Sequence, residues 1–208
     1  DVVLSFISDA NFRAILSTIG LKTKNVISVR IDPATAYKSR KRALLAKLFY
    51  SHAEGCVFQT QQAKEWYSQR IQKHSTVILN PVSNAFYDVE NSPGKEKRIV
   101  SSGRLSTQKR FDVLIDAYSK IHSLFPEYTL EIYGEGEEKE PLQKQIKKHN
   151  LQNSAFLRGR SEKINKDIKN AAIYVLSSDF EGLPNSLMEA MVLGLPCVST
   201  DFSGGGAR

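Results

Sequence analysis

The sequence predicts an α/β fold made of two parallel sheets, each covered by helices. Short runs of nearly continuous apolar residues recur along the chain, beginning at 2–7. Amphipathic stretches separate these runs, which is the pattern of strands buried on both faces by helices. Residues 81–96 interrupt the series with Asn, Ser, Pro, Gly and several charges, and are interpreted as a linker. The chain therefore divides into two predicted domains, 1–80 and 97–208.

The first predicted domain contains four strands and three helices. Its apolar runs place the strands at 2–7, 26–29, 56–58 and 76–79, and its amphipathic stretches place the helices at 12–19, 40–50 and 60–71. Thr60 stands where a helix N-cap is expected. The predicted apolar side of the second helix is formed by Leu44, Leu45, Leu48 and Phe49.

The second predicted domain repeats this architecture without repeating the residues. Strands are expected near 98–102, 129–133, 154–157, 172–176 and 196–199, with helices near 109–125, 139–149, 163–170 and 185–192. Both domains are therefore Rossmann-like. In such sheets, ligands bind at the carboxyl ends of the strands. Functional residues are expected in the loops that follow the strands.

Composition and charge limit the classes of protein to consider. The 208 residues are 41% hydrophobic and 25% charged, which is typical of a globular chain, and carry a net charge of +7. Five cations cluster on one predicted helix or just before it: Lys38, Arg40, Lys41, Arg42 and Lys47. Such a patch suits nucleic acid, anionic lipid or a phosphorylated substrate, and a solvated helix face explains it equally well.

Several functions lack their sequence signals. Cys56 and Cys197 lie in apolar runs and are interpreted as small buried residues, not as a disulfide, and the four histidines are too scattered for a metal site. Gly134-x-Gly136 is followed by Lys139 where a dinucleotide fingerprint requires Gly. No stretch has the length and apolarity of a transmembrane helix. Aromatic and basic residues do not interleave as in a single-strand track, so nucleic acid is not expected as a partner.

The first candidate motif follows the strand at 98–102. Gly103 and Arg104 leave the strand, and Lys109 is expected in the first turn of the next helix. A helix N-terminus offers unpaired N–H groups and the positive end of the helix dipole, both of which favour phosphate. Arg104 can bind phosphate oxygens bidentately, and Lys109 adds a second positive charge. Alone, the motif is also compatible with an ordinary surface loop.

The second candidate motif follows the strand at 172–176. Glu181 is placed in the loop, Pro184 begins the next helix, and Glu189 lies one turn into it. A carboxylate accepts hydrogen bonds from a pair of hydroxyls, so two carboxylates suit a sugar and a ribose. The N–H groups of the helix start between them suit phosphate. Together, the two motifs predict a site for a nucleotide sugar.

These motifs resemble glycosyltransferase family 4, through Gly103-Arg104 to Lys109 and through the E-x7-E frame from Glu181 to Glu189. The resemblance extends over the whole chain. It implies a retaining enzyme of the GT-B fold, in which 1–80 belongs to the acceptor-side domain and 97–208 to the donor domain. Both domains are expected to be incomplete, since the chain begins with Asp1 and lacks the family's N-terminal glycine-rich loop and closing C-terminal helices.

The resemblance also implies roles for residues. Arg104 and Lys109 would hold the donor diphosphate, Glu181 would contact the donor sugar, and Glu189 would bind the ribose. The nucleotide base is expected beside 157–159. Further residues are expected to bind substrate on the same grounds: Gly103, Gly134, Arg158, Gly182, Leu183, Asn185, Ser186 and Leu187.

One departure from the family concerns its frequent histidine after the second strand. This chain has Arg30 at that position, with Asp32 nearby. Arg30 is expected either to replace the histidine in substrate binding or to pair with Asp32 at the strand end. The two alternatives are about equally supported by the sequence.

The resemblance implies transfer of a hexose or N-acetylhexosamine from a nucleotide sugar, most commonly a UDP-sugar, to a lipid-linked or polysaccharide acceptor. No metal or other cofactor is expected, because the chain has no Asp-x-Asp pair and its cations can neutralise the diphosphate instead. A cytoplasmic location is expected, with peripheral contact to an anionic membrane through 38–47. The alternative is a module that binds a nucleotide sugar without turnover.

Overall fold

The computed structural model describes residues 1–37, 39–89 and 94–202. The chain forms two compact units. The first comprises Asp1–Pro81, Phe180–Pro184 and the stretch that begins at Phe202, and the second comprises Val82–Asp179 and Asn185–Asp201. The chain thus leaves the second unit for five residues before α9 (Asn185–Val192) returns to it. The predicted domain bounds do not anticipate this excursion, which carries Glu181.

The first unit is a four-stranded parallel sheet with its strands in sequence order. The strands are β1 (Val2–Phe6), β2 (Lys24–Val29), β3 (Gly55–Phe58) and β4 (Ser75–Val77), and the helices are α1 (Ser8–Ser17), α2 (Pro33–Ala36), α3 (Arg40–Tyr50), α4 (Gln61–Glu65) and α5 (Gln69–Lys73). Ile27 and Phe58 on the two central strands are fully buried and form the centre of this core.

The single helix predicted at 60–71 is two short helices. Thr60 does cap the first, its hydroxyl accepting a hydrogen bond of 3.1 Å from Ala63 N. The helix then ends so that Tyr67, 3% exposed, can enter the core with its ring centroid 5.1 Å from that of Phe58. Gln72 Nε2 donates a 2.7 Å hydrogen bond to the Tyr67 carbonyl. Burial of a large aromatic ring outweighs continuation of the helix here.

The bounds of α3 match the prediction, but its predicted apolar side is wrong. Ala46 and Tyr50, one turn apart, face the core instead. Three of the four residues expected on the apolar side are exposed, at 60%, 46% and 53% for Leu44, Leu45 and Leu48. The fourth, Phe49, packs edge-on against Phe12 of α1. Lys38 lies outside the described residues.

The second unit is a five-stranded parallel sheet of order β7-β6-β5-β8-β9. Its strands are β5 (Glu96–Ser102), β6 (Thr129–Tyr133), β7 (Ala155–Gly159), β8 (Ala171–Leu176) and β9 (Cys197–Ser199). Its helices are α6 (Phe111–Ile121), α7 (Lys139–Lys148), α8 (Ile164–Ile168) and α9, with 3-10 turns at Asn84–Phe86 and Thr107–Lys109. Strand order reverses between β5 and β8, which is the topological switch point where Rossmann-like sheets bind ligands.

The helix predicted near 109–125 begins and ends differently. Arg110 adopts the left-handed conformation, with φ 49° and ψ 41°, and separates the 3-10 turn from α6. Lys109 therefore lies in the turn before the helix and not in its first α-helical turn. At the other end, α6 stops at Ile121, after the buried Leu114, Ile115 and Tyr118 have filled the core.

The remaining predicted elements agree with the structure to within two residues at each end, except that α1 begins four residues before its predicted start and that the short helix α2 was not predicted. The predicted α/β fold with two parallel sheets is thus confirmed. Within the described ranges, no helix has both the length and the apolar character needed to cross a bilayer.

Candidate functional site

The loop after β5 is folded so that Lys109 lies over Gly103. A Cβ atom added to Gly103 would lie 3.0 Å from Lys109 Cε and 3.4 Å from its Nζ. A side chain at position 103 would therefore crowd the lysine stem, which would have to shift by a few tenths of an ångström. Arg104 follows at once and is exposed. The two cations predicted to bind a diphosphate thus emerge from one short loop at the carboxyl edge of the sheet.

Gly134 supports this loop from the next strand. Gly103 N donates a 2.9 Å hydrogen bond to the Tyr133 carbonyl, and Leu105 N donates one of 2.8 Å to the Glu135 carbonyl. The two backbones approach so closely that a Cβ on Gly134, whose φ is 149°, would lie 1.8 Å from Gly103 O. Gly134 is therefore placed beneath the candidate phosphate loop, and its role is to permit this close approach.

The loop after β8 is fastened to the turn that carries Lys109. Ser177 Oγ donates a 2.7 Å hydrogen bond to the Lys109 carbonyl. Asp179 N donates one of 3.0 Å to the Gln108 carbonyl. Arg110 Nη1 lies 2.9 Å from Asp179 Oδ1. The two loops at the switch point are thus joined by three separate contacts.

The start of α9 lies at the same edge of the sheet. Leu187 is buried, whereas Ser186 and Glu189 are half-buried and Asn185 is exposed. Burial raises the pKa of the Glu189 carboxyl above its ordinary value. A helix start followed by a carboxylate one turn later can accommodate an anion and a diol.

Tyr174 links β8 to β5 beneath these loops. The tyrosine is fully buried, and its hydroxyl lies 3.1 Å from Ser102 Oγ. Burial raises the pKa of Tyr174, and the negative charge of Glu189 raises it further. Ser102 directly precedes Gly103, so this contact fixes the point where the candidate phosphate loop leaves β5. Sequence reasoning missed this buried pair, for which the sequence offers no signal.

Arg158 is at the end of β7, where the base is expected, but its guanidinium is engaged elsewhere. Arg158 pairs with Glu131, which is 4% exposed and also lies 2.9 Å from Arg98 Nη1. The Tyr133 hydroxyl donates a 2.8 Å hydrogen bond to the same carboxylate. Burial acts to raise the pKa of Glu131, but the hydrogen bonds from Arg158, Tyr133 and Arg98 outweigh it and leave the pKa below its ordinary value. The predicted contact of Arg158 with substrate stays a prediction.

The other predicted site residues belong to the first unit. Arg30 Nη2 donates a 2.5 Å hydrogen bond to Asn80 Oδ1, which also accepts one of 2.7 Å from Gln59 Nε2. A Cβ on Gly182 would lie 2.8 Å from the Arg30 carbonyl oxygen and 2.9 Å from Gln59 Oε1. The structure therefore places Gly182 beside Arg30, and both are among the predicted substrate-binding residues. Asp32 caps α2 through a 3.1 Å hydrogen bond from Ala34 N.

Apart from Arg158, the predicted residues thus fall into two groups. Gly103, Arg104, Lys109, Gly134 and the start of α9 with Glu189 meet at the switch point of the second sheet. Arg30, Glu181, Gly182 and Leu183 belong to the first unit. Among the residues that the structure describes, no three His, Cys, Asp or Glu side chains form a potential metal site.

Known proteins resemble both the sequence and the fold. Residues 83–208 match the family of glycosyl transferases, group 1. An uncharacterized glycosyltransferase of Methanocaldococcus jannaschii is 32% identical over 99% of this chain and 56% of its own length. The amylovoran biosynthesis glycosyltransferase AmsD of Erwinia amylovora is 32% identical over 76% of this chain and 46% of its own length. The chain spans about half the length of these curated relatives.

Solved structures share the fold at low sequence identity. HepE of Anabaena, in complex with UDP, superimposes with a TM-score of 0.84 at 19% identity, over 98% of this chain and 60% of HepE. TarM of S. aureus, in a complex that contains UDP, gives a TM-score of 0.79 at 20% identity, over 99% of this chain and 42% of TarM. These neighbours have the GT-B fold, which the two parallel sheets share. The family match covers more than half of the chain, which therefore belongs to the glycosyl transferases of group 1.

Proposed function

We propose that this chain is part of a retaining glycosyltransferase of the family 4 type and contains its donor site. The enzyme transfers a hexose or N-acetylhexosamine from a UDP-sugar to a lipid-linked or polysaccharide acceptor in cell-surface glycan synthesis. Family membership supports glycosyl transfer, and the solved neighbours that contain UDP support the choice of uridine. AmsD, named for amylovoran biosynthesis, supports a polysaccharide acceptor.

The observation that carries the proposal is the meeting of two loops at the switch point. The loop with Arg104 and Lys109 is fastened to the loop after β8 by the Ser177 hydroxyl, 2.7 Å from the Lys109 carbonyl. The start of α9 follows at the same edge. A diphosphate here would face two cations and helix N–H groups, while the half-buried Glu189 would accept hydrogen bonds from ribose hydroxyls.

The proposed chemistry depends on charge in the leaving group. As the glycosidic bond breaks, negative charge develops on the departing diphosphate. Positive groups that are already positioned for that charge lower the barrier without reorganisation. Arg104, Lys109 and the N–H groups at the start of α9 supply them, and no metal ion is required. Glu181 orients the sugar, and the departing phosphate accepts the proton of the acceptor hydroxyl.

The proposal includes a cellular setting. Lipid-linked acceptors reside at a membrane, and α3 exposes Arg40, Lys41 and Arg42 together with three leucines. Cations and apolar side chains on one helix favour contact with an anionic lipid surface. We place the enzyme in the cytoplasm with peripheral contact to the inner face of the membrane.

An Arg104→Ala substitution in the longer protein tests the catalytic part of the proposal. If Arg104 neutralises the leaving diphosphate, its loss costs about 2–4 kcal/mol of transition-state stabilisation, or roughly 30- to 1000-fold in kcat. Transfer or hydrolysis of a UDP-sugar is the assay. Arg70→Ala, which removes an exposed arginine from α5 in the first unit, is the matched control and is expected to leave turnover unchanged. Unchanged turnover in Arg104→Ala would refute the assigned role.

A nucleotide-sugar-binding module without turnover is the second candidate. It is favoured by the length of this chain, which covers only 56% of its relative from Methanocaldococcus jannaschii. Under this alternative, the chain binds UDP-sugar but releases no UDP, whereas the longer protein does both. Measurement of UDP release by the two proteins side by side distinguishes a donor-binding part from a complete catalytic unit.

A further inference from the structure

We infer that Arg110 and Asp179 form a positioning pair that holds the diphosphate-binding turn in place. The inference rests on the proposed function, because it assumes that Lys109 contacts a donor diphosphate. Neither residue is among the predicted site residues. Three features of the structure support the pair: the backbone of Arg110, the partners of its guanidinium, and the cations on the loops that it joins.

Arg110 occupies a backbone conformation that its side chain does not favour. Its φ of 49° and ψ of 41° lie in the left-handed region, where glycine is the usual residue and arginine is uncommon. The conformation is required because the chain must turn from the 3-10 segment Thr107–Lys109 into α6. A non-glycine residue in this region persists when its surroundings compensate for the strain.

The compensation comes from two carboxylates on different segments. Arg110 Nη1 lies 2.9 Å and 3.2 Å from the two oxygens of Asp179, in the loop after β8. Arg110 Nε lies 3.1 Å from Asp112 Oδ1, in the first turn of α6. The first pair joins the two sides of the switch point, whereas the second lies within a single segment. Asp112 therefore serves as an internal control for Asp179.

The pair acts together with two hydrogen bonds on the same turn. Asp179 N donates to the Gln108 carbonyl at 3.0 Å, and Ser177 Oγ donates to the Lys109 carbonyl at 2.7 Å. The Lys109 stem packs over Gly103, with its Cε only 3.0 Å from the point that a Cβ atom of residue 103 would occupy. A shift of the turn would thus move the lysine relative to the loop that bears Arg104. Small displacements of charged groups at a reacting centre cause large losses in binding to the transition state.

The test compares UDP with UMP on this chain. Asp179→Asn keeps the shape of the side chain and removes its charge. We expect it to weaken UDP binding by about two- to fivefold and UMP binding less, so that the preference for the diphosphate falls. Asp112→Asn is the matched control and is expected to change both affinities less than about twofold. Calorimetric titration gives all the constants, and thermal melting verifies that each variant is folded.

Arg110→Gly gives a second, independent variant. Glycine accepts the left-handed conformation, so the turn can form while both ion pairs are lost. We expect Arg110→Gly and the double variant with Asp179→Asn to lose the same preference for UDP as Asp179→Asn alone, because partners in one pair are not additive.

Three results would overturn the inference. One is an Asp179→Asn chain that prefers UDP over UMP as strongly as the wild type, and another is an equal loss from Asp112→Asn. The third is an equal loss of UDP and UMP affinity, which would indicate general damage. A fourth outcome, a folded wild-type chain that binds neither UDP nor UMP, would overturn the proposed function and this inference together. It differs from the other three results because it concerns the wild type and not a variant.

Discussion

Gly134→Ala should separate the candidate phosphate loop from the strand that supports it. A Cβ at this position would lie 1.8 Å from Gly103 O and 2.9 Å from the Gly103 carbonyl carbon. Non-bonded carbon and oxygen atoms do not approach closer than about 3 Å, so the two backbones must move apart by more than about 1 Å. Both neighbours are backbone atoms, which cannot rotate out of the way as a side chain could.

The expected loss has two contributions. The φ of 149° at Gly134 is unfavourable for alanine and costs about 1 kcal/mol, while the forced shift displaces Gly103 and with it Arg104 and Lys109. A misplacement of about 1 Å costs on the order of 100-fold in a reaction that depends on position. We therefore expect Gly134→Ala to lower turnover of the longer protein about 100-fold, with UDP affinity falling at least tenfold in calorimetry.

Gly194→Ala is the matched control for Gly134→Ala. Gly194 also has a left-handed φ, of 68°, but a Cβ there meets no atom within 4 Å. Its substitution should cost a similar backbone strain without moving the loop, and should leave UDP affinity within about twofold. Equal effects of the two substitutions on UDP binding would show that Gly134 does not act through contact with Gly103.

Three further predictions concern pH, stability and membrane contact. Glu189 has a pKa raised by burial, and its ionised form is the one that accepts ribose hydroxyls, so UDP affinity should fall as the pH drops from 7 towards 5. A carboxyl group whose pKa is raised in the folded chain stabilises the fold at low pH and loses that contribution as the pH rises, so acid destabilisation through Glu189 cannot explain the loss of UDP affinity. The UDP affinity of Glu189→Gln should depend less on pH in calorimetry. A pH profile identical to that of the wild type would contradict the assigned role of Glu189. Glu131→Ala leaves Arg98 and Arg158 without their shared buried partner, and should lower the free energy of unfolding by about 2–3 kcal/mol in urea titrations. The control Glu127→Ala, which breaks the exposed pair with Lys97, should leave the midpoint nearly unchanged, and equal midpoints for the two variants would be inconsistent with a buried network. Replacement of Arg40, Lys41 and Arg42 by Gln should reduce sedimentation with phosphatidylserine liposomes at least several-fold, whereas unaltered sedimentation would exclude a membrane role for α3.

Elements governed by local pattern can be predicted from the sequence. The predicted bounds of α3, β6 and α9 are those of the structure, since each is a periodic or apolar segment between clear breaks. The two motifs also follow the strands that the sequence predicts, because the alternation of strands and helices fixes the carboxyl edge of a parallel sheet.

Features governed by tertiary packing cannot be predicted in this way. The break at Tyr67 depends on the rings of Phe58 and Tyr50, which are distant in sequence. Glu131 interrupts an apolar strand pattern and is compensated by arginines on the two neighbouring strands. The left-handed conformation of Arg110 has no signal in a residue type that rarely adopts it. These three features depend on partners that the local sequence does not reveal.

The excursion of Phe180–Pro184 into the first unit is a further case. The sequence around Glu181 indicates a strand-to-helix loop of the second domain, and nothing in it specifies which core that loop joins. Gly182 allows Phe180–Pro184 to pack within the first unit, because a side chain at position 182 would collide with the Arg30 carbonyl and Gln59 Oε1. A glycine in a loop sequence indicates that another segment can approach closely, but it does not indicate which segment does so.

The most direct test of the central claim is calorimetric titration of this chain with UDP and GDP, beside Glu189→Ala. Glu140→Ala, which removes an exposed carboxylate from the first turn of α7, is the control. We predict micromolar binding of UDP, weaker binding of GDP, and loss of UDP affinity in Glu189→Ala alone. A folded chain that binds neither nucleotide, or that binds UDP equally well without Glu189, would contradict the account of this edge of the sheet as a nucleotide-sugar site.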